Sequence, residues 1–282
     1  MATRRPKKVT AAPAAAAVAS ARSKPLRLPT SESTLFVNSV EKAMRVLMTF
    51  DSSRPRLSLS QIARATGLDM SAAQRFVFTL LTLGYLFRND QAKTYELSAR
   101  LLDFGYHYLA SNELVQRATP YLQQLSKETE ETTNITVLND TDIVFVQRMV
   151  SRHVLTPGVI VGSRLPAYCV APGLAILSAL PAEEAKSILS CSDLVKHTVH
   201  TVTDPKAIFA RLEAIRSKGY AHTENEYYLG DISTAVAVIG REGRPIGAIN
   251  VAVAQQRWDR EADEARISSL LLAAAGAISA QR

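Results

Sequence analysis

Cysteine is almost missing from this chain of 282 residues: Cys169 and Cys191 are the only two. Two thiols cannot staple a chain this long, so a disulfide-built secreted scaffold is excluded. A reducing compartment, the cytoplasm, is expected. Aromatic residues are scarce at 6%, with one tryptophan. No run of about eighteen residues is both apolar and uncharged, so no membrane-spanning helix and no membrane partner are expected. Neither common glycine-rich phosphate loop is present, and no cofactor is expected. What is there excludes a wholly disordered chain: 47% of the residues are hydrophobic and 21% charged. The length suits one large or two ordinary domains, each with its own core.

The net charge of +7 hints at a polyanionic partner. It is unevenly spread: net +6 in residues 1–34, +3 in 35–98 and −2 in 99–282. Residues 1–34 are built from Ala, Pro, Ser, Arg and Lys and read as a disordered basic tail. The tail imitates a signal peptide, but its middle is nearly all Ala, is broken by Pro13 and lacks a leucine-rich block. A solvated arm touching nucleic-acid phosphates is the simpler reading.

From Leu35 helical periodicity begins. Val40, Ala43, Met44, Val46 and Leu47 form a stripe ending near Phe50. Ser58 stands before Leu59–Thr66 with Gln61 at capping-box spacing, and Gly67 supplies a left-handed stop. After a turn at Leu68-Asp69-Met70, a second helix is predicted over Ser71–Leu83, closed by Gly84. Tyr85–Arg88 and Thr94–Leu97 read as a hairpin around Asn89–Lys93. Two helices joined by a glycine turn, then a hairpin, describe a winged helix-turn-helix.

In that motif the start of the second helix meets base edges in the major groove. Ser71 and Ala72 permit close approach. Gln74 suits adenine, and Arg75 suits guanine or a phosphate; Thr79 lies one turn on. Arg88 and Lys93 in the wing, with Ser60 on the first helix, complete the candidate DNA-binding set. A solvated amphipathic pair with incidental charge is the competing reading.

The remainder mixes helices and hairpins. Ser98 to about Glu131 reads as helical, and Asn139-Asp140-Thr141 as a turn between strands. Helices are predicted at Gly173–Leu180, Ala182–Leu189 and Pro205–Lys218, with strands at Ala235–Ile239 and Ile246–Ala254. A final helix runs from Asp259 to about Ala280, with Asp259 as cap and Trp258 packed on the sheet. This is α+β: an antiparallel sheet with flanking helices.

Other constellations are weak. Cys169 lacks an evident base and reads as a small buried hydrophobe. Cys191, His197 and His200 match no zinc spacing, so no metal site is assigned. Glu224 and Glu226 share a face if their strand continues. With Asp231 they are either an acid–base group, a pocket wall or a solvated rim.

The stretch Ser58–Leu68, with Arg75-Phe76 and Leu80–Tyr85, resembles the winged helix of IclR-type bacterial transcriptional regulators. Gly162–Cys169, Gly219–Glu224, Glu226, Leu229-Gly230, Ala235–Val238 and Gly243–Val251 resemble that family's effector domain. The likeness spans roughly residues 35–280 in the family's order.

The resemblance implies a repressor or activator with a winged helix at 35–98, a linker helix at 99–111 and a GAF-like effector domain at 112–282. It implies homodimers or tetramers on a palindromic operator in double-stranded DNA, and no enzymatic activity. The implied effector is a small organic acid, with an aromatic acid favoured by the Gly162–Cys169 segment. Its implied contacts are Tyr168, Cys169, Ala171, Gly173, Thr223, Glu224, Ser233 and Asn250, with the acid at the helix start after Cys169. The sequence departs from the family pattern at Leu174, where a basic residue is common, and at Thr223, where Asp is common. Pro172 also removes one N–H donor. The rival readings are an enzyme acting on its ligand and a DNA-binding protein with a degenerate pocket.

Overall fold

The computed structural model describes residues 33–153, 158–259 and 262–280. The basic tail expected at 1–34 therefore lies almost entirely outside the described residues. Two compact units are present, with bodies Asn38–Ser98 and Ala99–Arg282.

The first unit holds α1 (Asn38–Leu47), β1 (Leu57–Ser58), α2 (Leu59–Thr66), α3 (Met70–Thr82), β2 (Leu86–Asn89) and β3 (Thr94–Leu97). Local chemistry sets its helix ends. The Gln61 amide N–H donates to Ser58 Oγ, and the Ser58 N–H donates to Gln61 Oε1, closing the capping box. Gly67, at φ 69°, ends α2 in the left-handed region. α3 starts one residue earlier than the sequence suggested, because Asp69 is its cap and accepts from the Ala72 N–H at 2.8 Å. The strands form a three-stranded antiparallel sheet in the order β1-β3-β2. The two-residue β1 is too short to show periodicity, and sequence reasoning missed it. Val46, Leu57, Ile62, Val77, Leu80 and Leu86 are the centre of the core.

The second unit begins with a 3-10 turn, α4 (Leu102–Ser111) and α5 (Glu113–Thr129), separated where Asn112 caps α5. The elements that follow are β4 (Thr132–Asn139), β5 (Asp142–Met149), β6 (Arg164–Pro166), α6 (Ala171–Ala179), α7 (Ala182–Cys191) and α8 (Pro205–Lys218). β7 (Ala221–Glu224), β8 (Asp231–Ile239), β9 (Pro245–Ala254) and α9 (Asp263–Ala280) complete it. One antiparallel sheet runs in the order β6-β5-β4-β9-β8-β7. α5 and α9 pack on one face around Ile249, Val251 and Leu271; α6 and α8 pack on the other around Leu174, Ile208 and Ala235. The α+β class with a winged helix and a helix-flanked antiparallel sheet is as expected.

Two predicted details differ. α9 begins at Asp263, later than the expected Asp259, and the Asp263 carboxylate accepts from the Asp259 N–H at 2.9 Å. β7 stops at Glu224 because Asn225 adopts φ 60°. Glu226 therefore does not share a strand face with Glu224.

A β-bulge positions the site. On β5, Ile143 and Phe145 face α6, in step with Thr136 on β4. The register shifts between Ile135 and Thr136: Thr136 pairs with Phe145 but Ile135 with Gln147. Val146 is the extra residue, and side-chain parity reverses beyond it. Arg148, paired with Asn134, is thereby turned onto the α6 face.

Candidate DNA interface and effector site

On α3, Val77, Leu80 and Ala73 are buried, whereas Ser71, Gln74, Arg75, Phe78 and Thr79 are exposed. The exposed set recurs at three- and four-residue steps and so forms one stripe. Ala72 is half-buried beside it. The Arg75 guanidinium bonds to none of the described residues, and the Thr79 hydroxyl donates back to the Arg75 carbonyl at 2.9 Å. Phe78, 67% exposed, belongs to this stripe and was not singled out from the sequence. Its spacing from Ser71 and Arg75 was the available signal. In the wing, Lys93 is exposed at φ 52°, while Arg88 pairs with Asp90 at 3.0 Å. Both partners of that pair are open to solvent, so the bond is weak and exchangeable. Ser60 is exposed on α2, with its Oγ 3.0 Å from Ser58 Oγ.

The second unit contains a cavity between the sheet and the start of α6. Its volume is about 50 Å³, enough for a few waters. Of the expected effector residues, Cys169, Ala171, Thr223, Ser233 and Asn250 line it. Three others do not. Tyr168 is 1% exposed and turned away, its hydroxyl donating to the Val195 carbonyl. Gly173 faces the turn before α6, where a Cβ would overlap the Ala167 backbone; it is required by packing. Glu224 lies on the opposite sheet face, 3.5 Å from His222 Nε2, because β7 alternates and Thr223 takes the cavity side.

The cavity floor is a polar strip across an otherwise apolar sheet. Asn134 on β4 pairs in register with Asn250 on β9, and Asn134 Nδ2 donates to Asn250 Oδ1 at 3.2 Å. Asn250 Nδ2 donates to Ser233 Oγ on β8 at 3.0 Å. Ser233 in turn pairs with Thr223 on β7. Asn134 Oδ1, at the end of this chain, is buried and has no partner among the described residues. Arg148, Asp231 and Tyr228 also line the cavity. Burial pushes the Asp231 carboxyl up to about 6, against the opposing pull of Arg148. Burial lowers the Arg148 guanidinium and raises the Tyr228 hydroxyl. The Cys169 thiol is pushed well above its usual range, chiefly by burial, and therefore stays protonated.

The segment after β7, with Glu226, Tyr227 and Tyr228, forms one wall of the cavity. Arg211 on α8 forms a bidentate pair with Glu226, at 2.6 Å and 2.8 Å, and donates to the His222 carbonyl. Thr198 and Thr201 hydroxyls donate to the Asn225 and Glu226 carbonyls, each at 2.6 Å. His197 stands 4.5 Å from the Tyr227 ring, which packs edge-on against Tyr228. Tyr227 is raised to about 12, mainly by burial. Among the described residues no group of three or more His, Cys, Asp or Glu could hold a metal. Nor is any helix long and apolar enough to cross a membrane.

A winged helix with an exposed reading stripe, joined in one chain to a sheet domain with a polar internal cavity, defines a ligand-responsive DNA-binding transcriptional regulator. The family described as IclR helix-turn-helix domain matches residues 39–90, and Bacterial transcriptional regulator IclR C-terminal matches 106–280. The chain belongs to the IclR family. It is 31% identical to the Pca regulon regulatory protein of Pseudomonas putida, over 85% of this chain and 82% of that one. It is 32% identical to the p-hydroxybenzoate hydroxylase transcriptional activator of Acinetobacter baylyi, over 76% and 80%. Among solved structures, a transcriptional regulator from Rhodococcus sp. RHA1 matches with a TM-score of 0.75 and 33% identity, over 86% of this chain and 97% of that one. An IclR homologue from Microbacterium hydrocarbonoxydans, solved with 4-hydroxybenzoate, has the same fold (TM-score 0.72, 24% identity, 86% and 97% covered).

Proposed function

We propose that this chain senses a small aromatic acid in the cavity of its second unit and thereby changes its hold on an operator. Residues 35–98 are the DNA-binding domain, 99–111 the linker and 112–282 the effector-binding domain, with residues 1–34 a basic arm. α3 enters the major groove with Ser71, Gln74, Arg75 and Thr79 toward the bases and Ala72 allowing close approach. Arg88, Lys93 and Ser60 meet the phosphates. Cys169, Ala171, Thr223, Ser233 and Asn250 contact the effector. The protein acts in the cytoplasm.

The observation that carries the effector assignment is the buried strip Asn134–Asn250–Ser233. A sheet interior does not retain side-chain amides at a cost of desolvation unless they are paired or have a ligand to read. Two names support the chemical class: the relative that activates p-hydroxybenzoate hydroxylase transcription and the homologue solved with 4-hydroxybenzoate. The segment carrying Tyr227 and Tyr228 is the wall held by hydrogen bonds from neighbouring loops. The protonated Cys169 thiol favours binding over catalysis.

Homodimer or tetramer assembly on a palindromic operator is part of the same reading. α4 has no buried residue in the single chain, and Leu102, Phe104 and Tyr106 are 72%, 62% and 68% exposed. Such a face calls for a second copy. The test of the whole reading is a thermal-shift panel of aromatic acids on the full chain, followed by operator retardation with each hit. A hit that shifts Tm and changes operator affinity supports it. A panel with no hit, or a hit converted to product, overturns it.

A further inference from the structure

We propose that the effector's carboxylate is held by Arg148, and that a ring hydroxyl is read by the Asn134–Asn250–Ser233 strip that starts beside it. This rests on the reading of the cavity as the effector site, and it moves the anion away from the start of α6.

The α6 start is poorly equipped for an anion. Of its first three residues, Ala171 and Pro172 line the cavity, and Pro172 has no N–H. The expected cradle of N–H groups is therefore one donor short.

Arg148 is placed for the task by the bulge at Val146. Simple alternation from Ile143 and Phe145 would send Arg148 into the apolar face beneath α5 and α9. The extra residue reverses that and sets the guanidinium on the cavity side, 5.6 Å from the centre of the Phe145 ring. A flat acid laid along Phe145 brings its carboxylate to a fork that can hold both oxygens. Asp231 and Tyr228 are the ionisable groups facing Arg148 there, and Asp231 is the anion that an incoming carboxylate would supplant.

The strip beside the guanidinium has a different requirement. Asn134 pairs with Arg148 on one side and Asn250 on the other, so the strip runs away from the guanidinium at about 4.8 Å per strand. It presents the unpartnered acceptor Asn134 Oδ1, which is 1% exposed. A buried acceptor wants a donor, which a hydroxyl supplies and a bare ring edge does not.

The test is calorimetric titration of the full chain with three probes: 4-hydroxybenzoate, benzoate and 4-hydroxybenzamide. 4-Hydroxybenzoate should bind tightest, with each analogue at least about tenfold weaker. Arg148→Gln should weaken 4-hydroxybenzoate at least about tenfold while leaving 4-hydroxybenzamide unchanged, with operator binding as the check on folding. If Arg148→Gln does not fold, the wild-type ranking of acid against amide still decides the need for an anion. Binding of 4-hydroxybenzoate that Arg148→Gln leaves unchanged, or equal affinity for acid and amide, overturns the Arg148 assignment but not the effector reading. Equal affinity for benzoate and 4-hydroxybenzoate overturns the strip's role. No binding of any probe overturns the aromatic-acid reading itself.

Discussion

Asp231 is a half-buried carboxylate whose ionisation is opposed by its surroundings: burial outweighs the attraction of Arg148 and raises it from 3.8 to about 6. The folded state therefore holds this proton more tightly than the unfolded chain does. Its stabilising contribution is complete below about pH 4 and is lost as the pH rises through about 6. Asp231→Asn should raise Tm at about pH 7.5, by an amount equivalent to about 1–2 kcal/mol after allowing for partial exposure. The difference should vanish near pH 4.5. A less stable variant at pH 7.5 would mean that the charge attraction to Arg148 prevails over burial. On α3, Arg75→Ala should weaken operator binding by about 1–3 kcal/mol if the side chain reads a base. Retardation assays on operator and random DNA separate the roles, since equal loss on both marks a phosphate contact.

At the scale of elements, the first turn of α6 is held by close backbone approach, and Gly173 is what permits it. Gly173→Ala should cost about 1–3 kcal/mol through overpacking against Ala167, measured as a lower denaturant midpoint. An unchanged midpoint would show that the turn before α6 gives way. The capping box of α2 is cheaper to remove: Ser58→Ala should cost about 1 kcal/mol. These two glycine- and serine-based features differ in how legible they were. The Ser58–Gln61 spacing and the Gly67 stop are contacts within one turn, so the order of residues displays them. Gly173 looks like a helix-start ligand site from the sequence, and only its neighbour six residues back makes it a packing residue. β1 and β6, at two and three residues, are shorter than any period and left no pattern. The candidate effector set was partly legible. Cys169, Ala171, Thr223, Ser233 and Asn250 share the cavity, while Glu224 was misplaced because β7 alternates, and with Thr223 on the cavity side Glu224 faces the other way.

At the scale of the whole molecule, effector and operator act on one another through a shared equilibrium, so their coupling is reciprocal. If an aromatic acid weakens operator binding by some factor, operator DNA should weaken binding of that acid by the same factor. Titrating the acid with and without operator measures this, and unequal factors would mean that another linked species takes part. Removing residues 1–34 should lower the salt dependence of operator binding without altering which operator is chosen, since its net +6 supplies charge and no base-reading pattern. A changed operator preference would assign base contacts to the arm.

The sequence by itself determined the features whose partners lie within a few residues. These are the two helices and the wing, with the cap of the first helix, the antiparallel α+β pattern, and the concentration of basic charge in residues 1–34. They were readable because helix caps, turns and hairpins are local and periodic. The tertiary structure alone decided which side chains meet in the cavity. A single extra residue at Val146 reverses the facing of everything after it on β5 and brings Arg148 beside Asn134. The Arg211–Glu226 pair joins α8 to the segment that forms one wall of the site, across residues no pattern connects. Strand pairing sets these meetings between distant segments, and a one-residue change of register exchanges core for cavity.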